Sequence, residues 1–412
     1  MKTTIKLAVA SALVAAASSA NAGIVIPAGD WTLDIGGNVN AYYSYNKGES
    51  RTGTAAGAAG ALTFEENGAG EDARTTITTG LLPSFLSVSG KTRQNDLDVG
   101  FTISIQPGIA TKNSLSSAAQ ENRQSFLTFG DKSWGTIKAG RDLGIFGSTA
   151  ILSDMTLLGV GGAGSNVSDS TTLGGIGFGY LYADWKAQIS YASPNWNGFS
   201  FNVGVMQPWS VSNFPSANSS STIANKSTSS PGFEGQATYE WAGDVAGKVW
   251  AGFITQKVED LGLTDAGEFG DETARGFDIG ATVNVAGFGL TGYYYDGKGI
   301  GTTGFLSEAF DAKGKRRDSD GGYVQATYTI PGAGTKLGVA YAISNLDDTS
   351  NDKATNVNLV DSNERWTVGA YHPLTKHLNL VAEYNRTSSD SHKAGVKDAD
   401  NDNFSLGAIL FF

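Results

Sequence analysis

NRQSFLTFGDKSWGTIKAGRD, from Asn122 to Asp142, followed by LGIFGSTAILSDMTLLGVGGAGSNVSDSTT, from Leu143 to Thr172, is the stretch on which the rest of the chain turns. The first part reads as two antiparallel strands, with Phe126 and Ile137 leading short alternating runs joined by a turn from Gly130 to Gly135. The second part has about thirty residues, neither lysine nor arginine, and no sustained strand or helix period. Loops of that length inside a compact domain are usually functional or disordered. Leu143, Phe146, Ile151, Leu152, Leu157 and Leu158 argue against disorder. An apolar loop needs a wall to pack on, and the expected wall is the inside of a barrel.

Outward from this stretch the chain alternates between apolar and polar residues. Leu97, Val99, Phe101, Ile103 and Ile105 share one face of a run, against Asp98, Gly100, Thr102, Ser104 and Gln106 on the other. One face suits lipid or core, the other water. The pattern returns at Trp31 to Tyr45, Leu81 to Lys91, Trp185 to Tyr191, Phe199 to Val205, Phe233 to Trp241, Lys248 to Lys257 and Phe277 to Val285. Further runs lie at Leu290 to Asp296, Tyr323 to Ile330, Lys336 to Ser344, Arg365 to His372, Leu378 to Asn385 and Asn403 to Phe412. With Leu97 to Gln106 and the two strands of the opening stretch, the count is sixteen. Short turns such as Pro194 to Gly198, Ala286 to Gly289 and Pro373 to His377 alternate with long loops. That segregation predicts an all-β fold: a 16-stranded antiparallel transmembrane β-barrel with an inward-folded third loop. A soluble sandwich has no reason to sort its loops by length, and closure lets every strand edge be satisfied in lipid.

Composition agrees. Lys2 and Lys6 precede an apolar run from Leu7 to Ala17, and Ala20-Asn21-Ala22 supplies a small-residue cleavage site, so residues 1–22 read as a signal peptide and 23–412 as one barrel domain. The apolar run is too short to span a bilayer. Without Lys2 and Lys6, 27 basic residues face 40 acidic ones, a mature charge of about −13 that excludes nucleic acid as a partner. An exported chain with no cysteine has no disulfides to staple it. Fifty-five glycines against nine prolines favour strands and tight turns.

Phe404, Leu406, Ala408, Leu410 and terminal Phe412 share one face of the last strand. An aromatic end in that phase looks like the signal read by the barrel-assembly machinery of the outer membrane. Together with the order and spacing of Asn122 to Phe126, Gly135-Thr136-Ile137, Gly140-Arg141, SYASPNWNGFSF at Ser190 to Phe201 and GAYHPLTKHLNLVAEY at Gly369 to Tyr384, it gives a chain that resembles the general, trimeric porins of Gram-negative bacteria over essentially its whole mature length. The resemblance implies a homotrimer in the bacterial outer membrane, in contact with lipid and lipopolysaccharide. It also implies a third loop, residues 143–172, folded inward as the pore constriction, and small hydrophilic solutes and ions as the cargo.

In such porins an acidic cluster on that loop faces arginines on the opposite wall. Asp154, thirteen residues after Arg141, resembles the loop aspartate; Arg123, with Phe126 taken as outward and Ser125 as inward, resembles a constriction arginine, the plainer reading being an ion pair with Glu121. Asp154→Asn would then reduce cation preference. The chain departs from the pattern in three places: Thr156 to Gly162 lacks a second acid, Phe85 stands for a wall arginine, and Asp184 for another. Those departures shift the constriction toward weak cation preference, opposed by Lys138 and Lys186 on inward phases.

Acidic stretches at Glu259 to Glu272, Asp347 to Asp361 and Asp398 to Asp402 read as solvated loops that offer ligands for divalent cations bridging lipopolysaccharide phosphates, with Lys313, Lys315, Arg316 and Arg317 near the same phosphates. Trp134, Trp196 and Trp241 near short turns fit an interfacial girdle. No enzyme is expected: His372 and His377 flank a short turn, His392 lies in a far loop, and no nucleophile–base pair, metal-ligand cluster or cofactor motif is present. The nearer alternative is a substrate-selective channel with a saturable site, which Tyr293, Tyr295 and Tyr323 could line.

Overall fold

A computed structural model describes residues 23–48, 73–110, 118–162, 171–211, 223–227, 229–263, 268–356, 358–396 and 398–412. The signal peptide read at 1–22 lies outside these. The wall consists of β1 (Trp31–Gly48), β2 (Ala73–Thr78 and Phe85–Gln94), β3 (Leu97–Pro107), β4 (Gln120–Asp131), β5 (Gly135–Leu143), β6 (Trp185–Ala192), β7 (Phe199–Met206) and β8 (Gly232–Trp241). It continues through β9 (Val245–Leu263), β10 (Glu268–Val285), β11 (Phe288–Lys298), β12 (Asp318–Thr329), β13 (Lys336–Leu346), β14 (Val360–Pro373), β15 (Leu378–Ser391) and β16 (Ala399–Phe411). Each strand pairs antiparallel with its neighbours in sequence, and β16 closes on β1 through Phe404↔Tyr45 to Phe411↔Asn38. The result is a closed 16-stranded barrel. Two short strands complete it: Ile24–Ala28 takes up the lower part of β1 where β16 ends, and Ile223–Ser227 pairs with the top of β9.

Alternation decides which face is which. Ile103, Ile189, Leu290, Val324, Val368 and Leu406 stand exposed on the outer face, while Ser104, Gln188, Thr291, Thr367 and Ser405 are buried within. The short side turns tightly: Asn95 and Asp96 both take positive φ between β2 and β3, the geometry of a two-residue hairpin turn. Trp134 and Trp196 are exposed beside these turns, where a girdle belongs.

Three local expectations are corrected. Phe126 is buried inside and Ser125 is exposed outside, the reverse of the phase assumed for β4. A bulge explains why Arg123 is nevertheless buried: Ser104 pairs with Gln124 and Gln106 with Glu121, so β4 carries one extra residue and alternation breaks there. Leu81 and Leu82 are not strand. The segment Thr79–Ser84 turns into the barrel, its backbone held by Asn38 Nδ2 to Pro83 O at 3.0 Å, Asn40 Nδ2 to Leu82 O at 3.0 Å and Gly80 N to Asn40 Oδ1 at 3.0 Å. Finally, most of the acidic stretch Glu259 to Glu272 is strand, because β9 and β10 run 19 and 18 residues. At about 3.3 Å per residue this hairpin stands far above the hydrocarbon layer.

Candidate functional site

Between β5 and β6 the chain enters the barrel at Gly144, whose N–H donates to Asp184 O at 2.7 Å, so both ends of the loop leave the wall together. The loop contains a short helix, α1 (Ser148–Ser153), and a 3₁₀ turn at Met155–Leu158. Its apolar residues find the wall the sequence demanded. Phe146, Ile151, Phe178, Tyr180 and Leu181 pack with Trp250, Tyr293, Tyr323 and Phe305 in one buried cluster. Fully burying one such side chain contributes roughly 1.5–3 kcal/mol, so the cluster as a whole outweighs any single polar contact in holding the loop.

Polar groups on the far wall then fix its register. Ile145 and Phe146 N–H donate to Glu234 on β8, and Gly147 N–H donates to Asp278 Oδ2 on β10 at 3.2 Å. On β12, Tyr323 Oη donates to Ala150 O at 2.8 Å, while Gln325 takes Met155 N–H at 2.9 Å and donates to Ser153 O at 2.7 Å. On β15, Glu383 Oε2 accepts from Val160 and Gly161 N–H at 2.9 and 2.8 Å. Gly161 has φ of +70°, and a Cβ there would stand 2.6 Å from Thr156 Oγ1. Leu81 N–H donates to Gly159 O at 2.8 Å, which joins the indented part of β2 to the same turn.

Asp154 sits at the centre of this landing. It is 4% exposed and pairs with Arg365 of β14, Nη2 to Oδ2 at 3.1 Å. Tyr180 Oη donates to the same oxygen at 2.8 Å, and Thr156 N and Oγ1 donate to Oδ1 at 2.9 and 2.8 Å. Burial disfavours its charged form, but Arg365 and the Thr156 and Tyr180 hydrogen bonds outweigh burial and hold the carboxyl below the ordinary value. Arg365 is 1% exposed and also donates to Gly161 O. Sequence reading did not single out Arg365, Glu383, Glu234 or Asp278. Their inward phase was available as a signal; what the loop would lay over them was not.

The other site residues divide between two environments. Lys186 is buried, paired with Glu234 and set 5.1 and 5.4 Å from the Trp209 and Phe305 rings, beneath the loop. Lys138 pairs with Asp142, which also accepts from Gln124 Nε2 at 2.9 Å, and lies 5.0 Å from the Phe126 ring. Arg123 Nε pairs with Glu121 Oε2 at 2.7 Å, and its guanidinium lies 5.5 Å from the Trp185 ring. Glu121, Arg123, Arg141 and Asp184 border a common cavity of about 300 Å³ between the loop and the wall of β2 to β6. Phe85, the residue in place of a wall arginine, is buried against Leu82, Ile409, Phe411 and Leu157. Tyr293, Tyr295 and Tyr323 are buried under the loop and present no face to a solute. Arg317 of the basic cluster is likewise buried, paired with Asp352 at 2.8 Å, and Arg316 pairs with Glu272 at 3.1 Å, so these two arginines staple neighbouring loops. Lys313 and Lys315 remain exposed.

The arrangement is therefore a barrel whose lumen is crossed by a loop clamped to one wall, with an open cavity against the other. Solved structures share the barrel fold at low identity. The outer membrane channel DcaP of Acinetobacter baumannii, 18% identical, covers 95% of this chain and 100% of its own with a TM-score of 0.68. Outer-membrane expressed OmpT of Vibrio cholerae, 15% identical, covers 94% of this chain and 100% of its own at 0.56. OmpF of Salmonella typhi in complex with daunomycin, also 15% identical, covers 93% and 100% at 0.54. These identities speak for the fold alone. No curated protein sequence matches the chain. The family model of the Gram-negative porins matches residues 8–392, nearly the whole length. The chain belongs to the Gram-negative porins, channel proteins of the bacterial outer membrane through which solutes diffuse passively.

Proposed function

We propose that the barrel is a trimeric, water-filled channel for small hydrophilic solutes and ions, constricted by the loop at 143–172 and weakly cation-preferring. The carrying observation is that the charges on the wall the loop leaves free come in opposite-signed couples: Glu121 with Arg123 at the open cavity, and Asp142 with Lys138 elsewhere on β5. Arg141 and Asp184 add one charge of each sign at the same cavity. Such a constriction has little net field of its own. Selectivity then follows the whole chain, in which 40 acidic residues exceed 27 basic ones once Lys2 and Lys6 are set aside. An excess of that sign raises the local cation concentration modestly. The residues at Phe85 and Asp184 do not set the preference alone, since Arg365 supplies a wall arginine that Asp154 neutralises.

Trimerisation is supported by the family and by the Vibrio cholerae OmpT, one structure of which is of a trimer form. Contact with lipid and lipopolysaccharide follows from the apolar outer face, and Phe412, at the end of β16, remains the proposed signal to the assembly machinery. The test is single-channel conductance in a planar bilayer under a potassium chloride gradient. Current steps in groups of three with a small reversal potential on the cation side support the reading. An anion-side reversal refutes the preference, and folded protein that passes no current refutes the channel.

A further inference from the structure

The cavity beside the loop differs from a wall that merely holds water. Leu82, Leu152, Leu157, Ile176, Trp209 and Phe305 are among the residues that line it. Two opposite charges border this apolar space with unused capacity. Arg141 is exposed and has no hydrogen bond or ion pair among the described residues. Asp184 is half-buried in a left-handed backbone conformation at φ 55°, its Oδ1 accepting from Trp185 N–H at 2.6 Å. Its Oδ2 has no hydrogen-bond partner among the described residues. Glu121 and Arg123, by contrast, are engaged with each other. Burial pushes the Asp184 carboxyl up, against the pull of Lys186, Arg141 and Arg123, so a cation placed beside it would relieve an existing cost.

We propose that this cavity is a saturable subsite for small apolar zwitterions, the class of α-amino acids with branched or aromatic side chains. The carboxylate meets the fork of Arg141, the ammonium meets Asp184 Oδ2, and the apolar side chain lies against Leu152, Leu157 and Trp209. A solute with only one of the charges leaves the opposite group unpaired, and a solute without the side chain leaves the apolar wall wet. The proposal rests on the reading of the chain as an open channel, and names what that channel retains in passage.

Two readouts separate the two ideas. Potassium chloride conductance alone tests the channel. Leucine added to the conducting protein tests the subsite, through current interruptions whose frequency saturates with concentration. Tryptophan emission from Trp185 and Trp209 during a leucine titration reports the subsite even if no current flows. Half-saturation by leucine or phenylalanine is expected at concentrations at least about tenfold lower than by glycine, N-acetyl-leucine or leucine amide. R141Q and D184N should each raise the leucine value by about tenfold, whereas K132Q, on an exposed short turn, should not move it. Equal effects of leucine, glycine and the two single-charge derivatives on the unmodified protein would overturn the proposal. So would leucine binding unchanged in both R141Q and D184N.

Discussion

The two halves of the inner wall carry similar residues and do different things. On the side from β8 to β15, Glu234, Asp278, Tyr323, Gln325, Arg365 and Glu383 all point inward and are all engaged with the loop. On the side from β2 to β6, Glu121, Arg123, Lys138 and Asp142 also lie within, but their partners are each other, and Glu121 and Arg123 border open space. Strand phase places both sets. What separates them is where the loop lands, so in the proposed pore only the wall the loop leaves free offers its charges to solutes.

The sharpest way to break this division is to strand a charge under the loop. Arg365→Met leaves Asp154 buried without its cation, and breaking a buried pair from one side typically costs about 3–5 kcal/mol. The heat-induced unfolding of the folded barrel should fall accordingly, with noisier single-channel current as the loop loosens. The double variant Asp154→Leu with Arg365→Met should recover most of that loss, because apolar replacement of both partners of a buried pair is often neutral. A double variant no better than the single one would show that the pair adds more than its own compensation. Glu383→Gln comes next. It removes the charge that accepts two loop N–H groups and the Tyr371 hydroxyl, so a loss of roughly 1–3 kcal/mol is expected in the same unfolding measurement.

Acid should leave the Asp154 clamp intact over most of the usual range. The Asp154 carboxyl lies below its ordinary value, so its contribution is present above that value and is lost only as pH falls through the lower, folded one. Loop noise and unfolding temperature should therefore be insensitive to this residue from neutrality down to about pH 4. Comparing Asp154→Asn with the unmodified chain across pH checks this, since loosening of the unmodified loop near pH 6, absent from the variant, would place the carboxyl above its ordinary value instead.

The sequence made the barrel legible because lipid and water impose a period of two on every strand, and Leu97 to Gln106 shows it without a break. It made the loop legible too, since Phe146 and Ile151 in a long unpatterned segment needed an interior wall. The site was legible only in part. Asp154 stood out by type and position, but its partner lies 211 residues away on β14, and no local pattern couples the two. For Arg123 simple alternation points the wrong way, since Ser125 is outside and Phe126 inside, and the bulge between Gln124 and Glu121 is what turns its side chain inward. A single inserted residue is invisible to periodicity when the residues around it are polar on both faces, as Gln120 to Ser125 are.

The smallest effect is the one that bears most directly on conduction. Glu121→Gln and Asp154→Asn remove the same single negative charge, one from each wall. Glu121 is 29% exposed at the open cavity while Arg123 is 6% exposed, so their ion pair is only partly screened and its loss should change stability by about 1 kcal/mol. Yet it unmasks the Arg123 guanidinium beside the path of the ions, and the reversal potential under a salt gradient should move toward anions. Asp154 is enclosed by Arg365, Tyr180 and Thr156, so Asp154→Asn should disturb the loop and leave the reversal potential nearly unmoved. Low salt enlarges the Glu121 shift because screening of exposed charges weakens, while the Asp154 result stays flat. If instead Asp154→Asn moved selectivity as far as Glu121→Gln, ions would have to pass on the side of the barrel that the loop covers, and the division between the two walls would fail.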